Sequence, residues 1–206
     1  MDAKLLLQCI GVALGLLYLW LEYRANTWLW VVGMVMPVVH GTLYFRSGLY
    51  ADCSMQVYYV LASLYGLAVW LRRPAPQNDL QKGSQQSTGD NYAGIRHTPA
   101  NAIAPLVVVY VLLHAGIYLL LARFTDSTVP FWDAMTTALC IIAMWMLSRK
   151  YLEQWLVWLV IDLITTALYI YKGIPITGSL YALYSVLAVV GYARWRRAMR
   201  QAQIRA

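Results

Sequence analysis

The sequence is poor in charge, cysteine and histidine, and each shortage excludes a class of protein. Charged residues make up 12% of the 206 residues, against roughly 25% in soluble domains, which excludes an ordinary soluble chain. The three cysteines show no CxxC spacing, so neither a disulfide framework nor a zinc site is expected; they are Cys9, Cys53 and Cys140. There is no HExxH motif and no Walker A loop. We therefore expect no enzyme activity, no metal, no cofactor and no ATP hydrolysis by this chain.

Apolar residues are abundant instead, at 61% of the chain, and they form long runs. About 20 residues of such a run cross a bilayer. The first run follows Lys4 without a cleavage pattern, so we interpret it as a retained helix. The sequence predicts an all-α integral membrane protein with seven spans, near 4–21, 27–45, 50–71, 102–123, 130–148, 152–171 and 176–195. Between the third and fourth spans, residues 72–101 are rich in Pro, Gln, Ser and Gly and predict a mobile linker.

Basic residues are distributed unevenly between the loops. If the N-terminus lies outside, twelve of the sixteen fall on the side of the linker: Arg24, Arg72, Arg73, Lys82, Arg96, Arg149, Lys150, Arg194, Arg196, Arg197, Arg200 and Arg205. The positive-inside rule then predicts an external N-terminus, a cytoplasmic linker and a basic cytoplasmic tail over 196–206. We expect a multi-pass protein of a bacterial inner membrane. The net charge of +7 is a topology signal, and we expect membrane lipid rather than nucleic acid as its partner.

The chain matches itself at a shift of 125 positions. Residues of uncommon type coincide at this shift, including Arg24 with Arg149, Trp30 with Trp155, Gly66 with Gly191, and Trp70 with Trp195. The match predicts two three-helix repeats, 1–71 and 124–195, separated by the linker and a connector helix over 102–123. An unpaired connector leaves both repeats in the same orientation, as in SWEET-like transporters, whose substrate site lies at the membrane midplane.

An aspartate, Asp162, stands in the middle of the sixth predicted span, where a carboxylate is costly unless it has a function. Trp155 and Trp158 precede it at helical spacing, and Tyr169 follows it, so these four side chains can line one wall of a cavity. Aromatic faces and an anion suit a flat cationic ring. The alternative is that Asp162 is protonated, or paired with His40 or His114, and serves helix packing.

The first repeat offers a second set of candidates. Gln56 and Tyr59 share a helical face, and an amide at that depth must bond a neighbouring helix or a ligand. At a shift of 125 their equivalents are Tyr181 and Tyr184. Trp30, the equivalent of Trp155, completes the predicted substrate site together with His40, which lies near the same depth.

Several of these segments resemble the PnuC family of vitamin transporters. They are GLYAD (48–52) followed by Gln56 and LYG (64–66), TVPFWD (128–133), SRKYLEQWLVWLVIDLITTALYIYKG (148–173) and SLYALY (179–184). The resemblance covers nearly the whole chain outside the linker. It implies a three-one-three arrangement like an enlarged SWEET transporter, often a homotrimer. It also implies facilitated diffusion of nicotinamide riboside or a related vitamin, which a cytoplasmic kinase traps by phosphorylation.

The resemblance further implies roles for single residues. Trp155 and Trp158 would sandwich the aromatic ring, Gln56 would bond its polar substituents, and Tyr59 and Tyr184 would close the chamber. Nicotinamide riboside transporters of this family often have asparagine in the second helix and at the position of Asp162, and this chain has neither. A carboxylate there strengthens recognition of a cation, which brings thiamine, a permanently cationic vitamin, into the predicted substrate range beside the riboside.

Two other transport functions stay open at the level of sequence. A SWEET-like sugar transporter shares the predicted architecture, although an uncharged sugar does not require Asp162. An ion-coupled transporter could use His40 or His114 to carry protons, because histidine changes its charge near neutral pH.

Overall fold

The computed structural model describes residues 3–46, 50–72, 92, 94–125, 128–171, 173 and 175–205. Within these residues the chain forms seven α-helices, α1 (Ala3–Tyr23), α2 (Trp28–Arg46), α3 (Tyr50–Leu71), α4 (Ala100–Phe124), α5 (Pro130–Ser148), α6 (Gln154–Tyr171) and α7 (Pro175–Arg205). The predicted all-α architecture of seven helices is confirmed. The chain divides into two compact units, residues 1–93 and residues 94–206.

In the first unit, α2 packs against both α1 and α3. The turn between α1 and α2 is a Schellman motif, in which the amides of Ala25 and Asn26 donate to the carbonyls of Glu22 (2.8 Å) and Leu21 (2.9 Å). Ala25 adopts the left-handed conformation that this motif requires, with φ 49°. Arg24 lies over the ring of Trp20, with 4.6 Å between the guanidinium carbon and the ring centroid.

In the second unit, each helix from α4 to α7 packs against the next one along the chain. The turn between α5 and α6 has the same hydrogen bonds, from the amides of Lys150 and Tyr151 to the carbonyls of Leu147 (2.9 Å) and Met146 (3.0 Å). Lys150 is left-handed, with φ 55°. The Arg149 guanidinium carbon lies 5.4 Å from the centroid of the Trp145 ring. Each of these residues stands 125 positions after its counterpart in the first unit.

A close contact between tryptophan and glycine holds the last helix of each unit. A Cβ atom on Gly66 would lie 2.3 Å from the Trp30 ring, and one on Gly191 would lie 2.6 Å from the Trp155 ring. These distances are too short for any other residue, so glycine is what allows the indole to lie on the neighbouring helix. A second indole then packs edge-on against the first, with centroids 5.5 Å apart for Trp30 and Trp70 and 5.7 Å apart for Trp155 and Trp195.

The structure adds detail to two predicted segments. The predicted tail over 196–206 continues α7 as far as Arg205, because its Arg, Ala, Met and Gln residues are good helix formers and Met199 is buried. The last part of the predicted linker is attached to the α5–α6 turn. There the Arg96 amide donates to the Lys150 carbonyl (3.2 Å) and the Leu152 amide donates to the Arg96 carbonyl (3.0 Å). Residues 73–91 of that linker lie outside the described residues.

Among the described residues, three helices, α4, α5 and α6, are long and apolar enough to cross a membrane. Shorter apolar helical segments occur at Ala13–Tyr23, Trp28–Val39 and Met55–Leu71. None of the residues of α4 is buried, which is compatible with a helix whose solvent is hydrocarbon. The chain is therefore a multi-pass membrane protein.

Candidate substrate site

Helices α6 and α7 bring together four of the predicted site residues. Tyr169 on α6 stacks on Tyr181 of α7, with centroids 5.4 Å apart and the ring planes 9° from parallel. Tyr184, nearly one turn further along α7, meets the Tyr181 ring edge-on at 5.8 Å. Asp162 lies close enough to Tyr181 and Tyr184 to interact with both electrostatically. The arrangement is an aromatic cluster beside a carboxylate.

Asp162 is buried, with 7% of its surface exposed. Its backbone carbonyl accepts a hydrogen bond from the Thr166 hydroxyl (2.7 Å). Among the described residues, no hydrogen bond or ion pair to its carboxylate is found. A buried carboxylate without a cation partner is costly, so this position is suited to a ligand that supplies the missing charge.

The two tryptophans of α6 occupy different environments. Trp155 is 2% exposed, and its ring lies against Gly191 and Trp195, so it acts in this structure as a packing residue between α6 and α7. Trp158 is half-buried, and its indole N–H has no hydrogen-bond partner among the described residues. The predicted sandwich of a ligand between both rings stays a prediction, and in this structure the Trp155 ring lies against α7. Helical spacing places two residues on one face but does not say which neighbour that face meets.

In the first unit, Trp30 has the same packing role as Trp155, because it is fully buried against Gly66 and Trp70. Gln56 is half-buried and packs beside Gly41, where an added Cβ would lie 3.5 Å from the Gln56 side chain. Tyr59 is half-buried and lies within electrostatic range of Tyr18 on α1. Gln56 and Tyr59 are thus placed between the helices of their own unit.

Of the two histidines predicted to lie in the membrane, the structure describes the side chain of His114 but not that of His40. The His114 ring packs against Phe131, with centroids 4.8 Å apart, and its Nδ1 atom lies 3.3 Å from the Tyr110 hydroxyl. These contacts give His114 an aromatic packing role and leave no pairing with Asp162. The His40 side chain lies outside the described residues.

A polar clip that was not predicted from the sequence joins the start of α4 to the start of α6. The Glu153 carboxylate contacts His97 Nδ1 (2.6 Å) and accepts hydrogen bonds from the hydroxyl (2.7 Å) and amide (2.8 Å) of Thr98. Partial burial raises the pKa of Glu153, but the hydrogen bonds from His97 and Thr98 outweigh burial and hold that pKa below its ordinary value. The only sequence signal was a lone glutamate at the edge of an apolar helix.

No group of His, Cys, Asp or Glu side chains that could hold a metal ion occurs within the described parts of the chain. Cys140 on α5 is a free thiol that lies within electrostatic range of Tyr181. The α6–α7 cluster offers a ligand ring faces, hydroxyls and one carboxylate.

Comparison with known proteins shows where this architecture occurs. The chain is 24% identical to the nicotinamide riboside transporter PnuC of Escherichia coli, over 97% of this chain and 89% of that protein. It is also 24% identical to the riboflavin/roseoflavin transporter RibM of Streptomyces davaonensis, over 90% and 82% of the two chains. The crystal structure of the vitamin B3 transporter PnuC superposes with a TM-score of 0.70 at 18% identity, covering 95% of this chain and 82% of that one.

The family model described as nicotinamide mononucleotide transporter matches residues 5–197. The relatives named above are transporters, and this chain is a transporter rather than an enzyme. The match covers nearly the whole sequence and confirms the resemblance to PnuC proteins. The chain belongs to the nicotinamide mononucleotide transporter family.

Proposed function

We propose that this protein carries a vitamin with a flat, positively charged ring across the bacterial inner membrane, by facilitated diffusion. The observation that carries the proposal is Asp162, a buried carboxylate without a described cation partner, next to the stacked rings of Tyr169 and Tyr181. The carboxylate attracts the charge of the ring, and the tyrosine faces attract the same cation through their quadrupoles. The buried indole N–H of Trp158 has no hydrogen-bond partner among the described residues, and we propose that an acceptor on the ligand supplies one.

Two substrates fit this description, nicotinamide riboside and thiamine. The pyridinium ring of nicotinamide riboside and the thiazolium ring of thiamine both carry a permanent positive charge, so Asp162 by itself does not separate them. The relatives named for nicotinamide riboside support the first substrate, and the relative named for riboflavin supports a family range that extends to other ring systems. Riboflavin is neutral and gains no charge attraction from Asp162, so we propose it less strongly as a substrate than the two cations.

The transport mode belongs to the same proposal. A facilitator needs no nucleotide site and no ion coupling, and phosphorylation by a cytoplasmic kinase then retains the vitamin inside the cell. The packing of His114 against Phe131 favours a structural role for this histidine over proton transfer. We also propose the homotrimer, the external N-terminus and the cytoplasmic C-terminus that the sequence predicts.

The three-one-three arrangement is a further part of the proposal. Its support is the recurrence, 125 positions apart, of the Schellman turns at Ala25 and Lys150 and of the tryptophan contacts at Gly66 and Gly191. Both units contain a left-handed residue and a close contact between tryptophan and glycine at equivalent positions. This recurrence favours gene duplication over chance similarity of apolar sequences.

The experiment measures binding and uptake of a cation and of its neutral counterpart. Replacing Asp162 by asparagine keeps the shape of the side chain and removes its charge. We expect affinity for nicotinamide riboside and thiamine to fall about tenfold or more, because a hydrogen bond to a charged group contributes about 1.5–3 kcal/mol. Affinity for dihydronicotinamide riboside, which has the same shape but no charge, should change little. Calorimetric titration of purified protein measures all three ligands.

A matched control is Asp133→Asn, which removes a carboxylate from the first turn of α5 in the same unit. This variant should keep wild-type affinity. Equal losses for the charged and neutral ligands in Asp162→Asn would assign the residue to helix packing. Uptake into proteoliposomes that stops without an imposed proton or sodium gradient would refute facilitated diffusion.

A further inference from the structure

A groove of about 610 Å³ lies between the N-terminal half of α4 and the C-terminal half of α5, within the second unit. Its wall is apolar and is formed by Ala102, Pro105, Leu106, Val109, Ile141 and Ile142. One end is polar and carries Asn101, Trp145, Arg149 and Tyr151. Among the described residues that line it, none is an aspartate or a glutamate. None of the candidate substrate-site residues lines the groove either.

One guanidinium group, that of Arg149, lines the polar end of the groove, and a second, that of Arg96, contacts a ring that lines it. Arg149 is held over the Trp145 ring at 5.4 Å, and Arg96 lies over the Tyr151 ring at 5.2 Å. The nearby carboxylate of Glu153 is already bound to His97. The polar end is therefore formed by arginine on aromatic rings, and the stacking contacts fix where the guanidinium groups lie.

An apolar channel that ends in fixed positive charge has the shape and chemistry of an anionic phospholipid. The polar end lies where α4 begins and α5 ends, and such helix ends coincide with the headgroup region of a bilayer. A phosphate there pairs with arginine, while an acyl chain covers the apolar wall. The volume falls in the range of about 300–1,000 Å³ that holds one small ligand, so it accommodates part of a lipid and not a whole helix.

We propose that this groove binds an anionic phospholipid, with the phosphate at Arg149 and one acyl chain between α4 and α5. A neutral zwitterionic lipid carries an ammonium group that repels the arginines, and a free phosphate ion leaves the apolar wall uncovered. Basic pockets between membrane helices bind anionic headgroups in this manner. The proposal is independent of which vitamin the protein transports.

The test uses the full-length protein purified in a mild detergent, with thermal unfolding measured during titration with phosphatidylglycerol. We expect phosphatidylglycerol to raise the unfolding midpoint in a saturable manner, because a ligand that binds only the folded state stabilises it. Phosphatidylcholine with the same acyl chains should have a much smaller effect. In Arg149→Gln the apparent affinity for phosphatidylglycerol should fall about tenfold, since a charge-assisted hydrogen bond is lost.

Arg24→Gln is a matched control for the charge. Arg24 occupies the corresponding turn of the first unit and lies over Trp20, so its replacement removes the same kind of stacked guanidinium from a residue that does not line the groove. Phosphatidylglycerol should stabilise this variant as it does the wild type. Equal effects of both substitutions on lipid affinity would refute a site at Arg149.

A second pair of variants tests the apolar wall. Ala102→Phe places a ring inside the groove and leaves all charges in place, whereas Ala104→Phe lies on α4 outside the groove lining. Only the first should weaken lipid binding. If Arg149→Gln does not fold, this pair still decides the question.

Three outcomes would overturn the proposal. Phosphatidylcholine could stabilise the protein as well as phosphatidylglycerol does, or inorganic phosphate could reproduce the effect and make the site a simple anion site. Ala102→Phe could instead leave lipid affinity unchanged and alter the oligomeric state in light scattering, which would assign the groove to a second copy of this chain.

Discussion

Replacing Gly191 by alanine should destabilise the protein, although alanine is the better helix former. An added Cβ would lie 2.6 Å from two ring carbons of Trp155, a distance that Cβ atoms do not tolerate. The indole cannot move aside, because it is 2% exposed and packs edge-on against Trp195. Overpacking of this kind costs about 1–3 kcal/mol. For a chain of this size, that cost lowers the unfolding midpoint by roughly 2–12 °C.

The assay is thermal unfolding of purified protein in detergent, followed by tryptophan fluorescence or dye binding. Gly116→Ala is the control, because Gly116 lies in α4 and has no atom within 4 Å of an added Cβ. That substitution should be neutral or should stabilise by about 0.5–1 kcal/mol, which is the usual advantage of alanine over glycine in a helix. If Gly191→Ala lowers the unfolding midpoint and Gly116→Ala does not, the contact with Trp155 is the cause of the destabilisation.

A double substitution sharpens the test. In Gly191→Ala combined with Trp155→Leu, the smaller side chain leaves room for the methyl group, so the loss should be less than the sum of the single losses. Additive losses would contradict the steric argument. A Gly191→Ala variant as stable as the wild type would refute it outright.

The remaining predictions concern the turn and the polar clip. Ala25→Gly should stabilise the first unit by up to about 1 kcal/mol, because a left-handed residue other than glycine costs about 1–2 kcal/mol. The greater conformational entropy of glycine in the unfolded state offsets part of that gain. A lower unfolding midpoint for this variant would refute the prediction. Glu153 has a lowered folded-state pKa, so the stability it contributes is fully present above its ordinary pKa of 4.5 and is lost as pH falls below that value. The midpoint should thus fall more for the wild type than for Glu153→Gln between about pH 5 and about pH 3. Parallel curves would show that the charge of Glu153 contributes nothing to the clip.

The helices could be predicted from the sequence because each is a long apolar run, and their type follows from composition alone. The equivalence of Trp30 and Trp155 in the two repeats could also be predicted, because the two tryptophans coincide when the sequence is shifted by 125 positions. The packing of each tryptophan ring against a glycine of a neighbouring helix could not be predicted. The glycine that each ring contacts lies on another helix, and the spacing of residues within α6 does not say which residues of α7 it meets.

The clip at Glu153 was beyond prediction for a related reason. It joins residues 56 positions apart, and His97 stands at the end of a segment whose composition is typical of a linker. The end of α7 was missed because its arginines were interpreted as a membrane boundary. They do mark such a boundary, but arginine also favours helix, so the helix continues beyond it.

The clip has a mechanical consequence for α4. His97 and Thr98, just before α4, are bound to Glu153, just before α6, so the clip holds the starts of the two helices together. The 25 residues of α4 extend over about 37 Å at 1.5 Å per residue. A tilt of about 5° around the tied end would displace the Phe124 end by about 3 Å, which is the diameter of a water molecule. For a helix held at the Glu153 end, the Phe124 end is therefore the part of α4 that a small tilt displaces most.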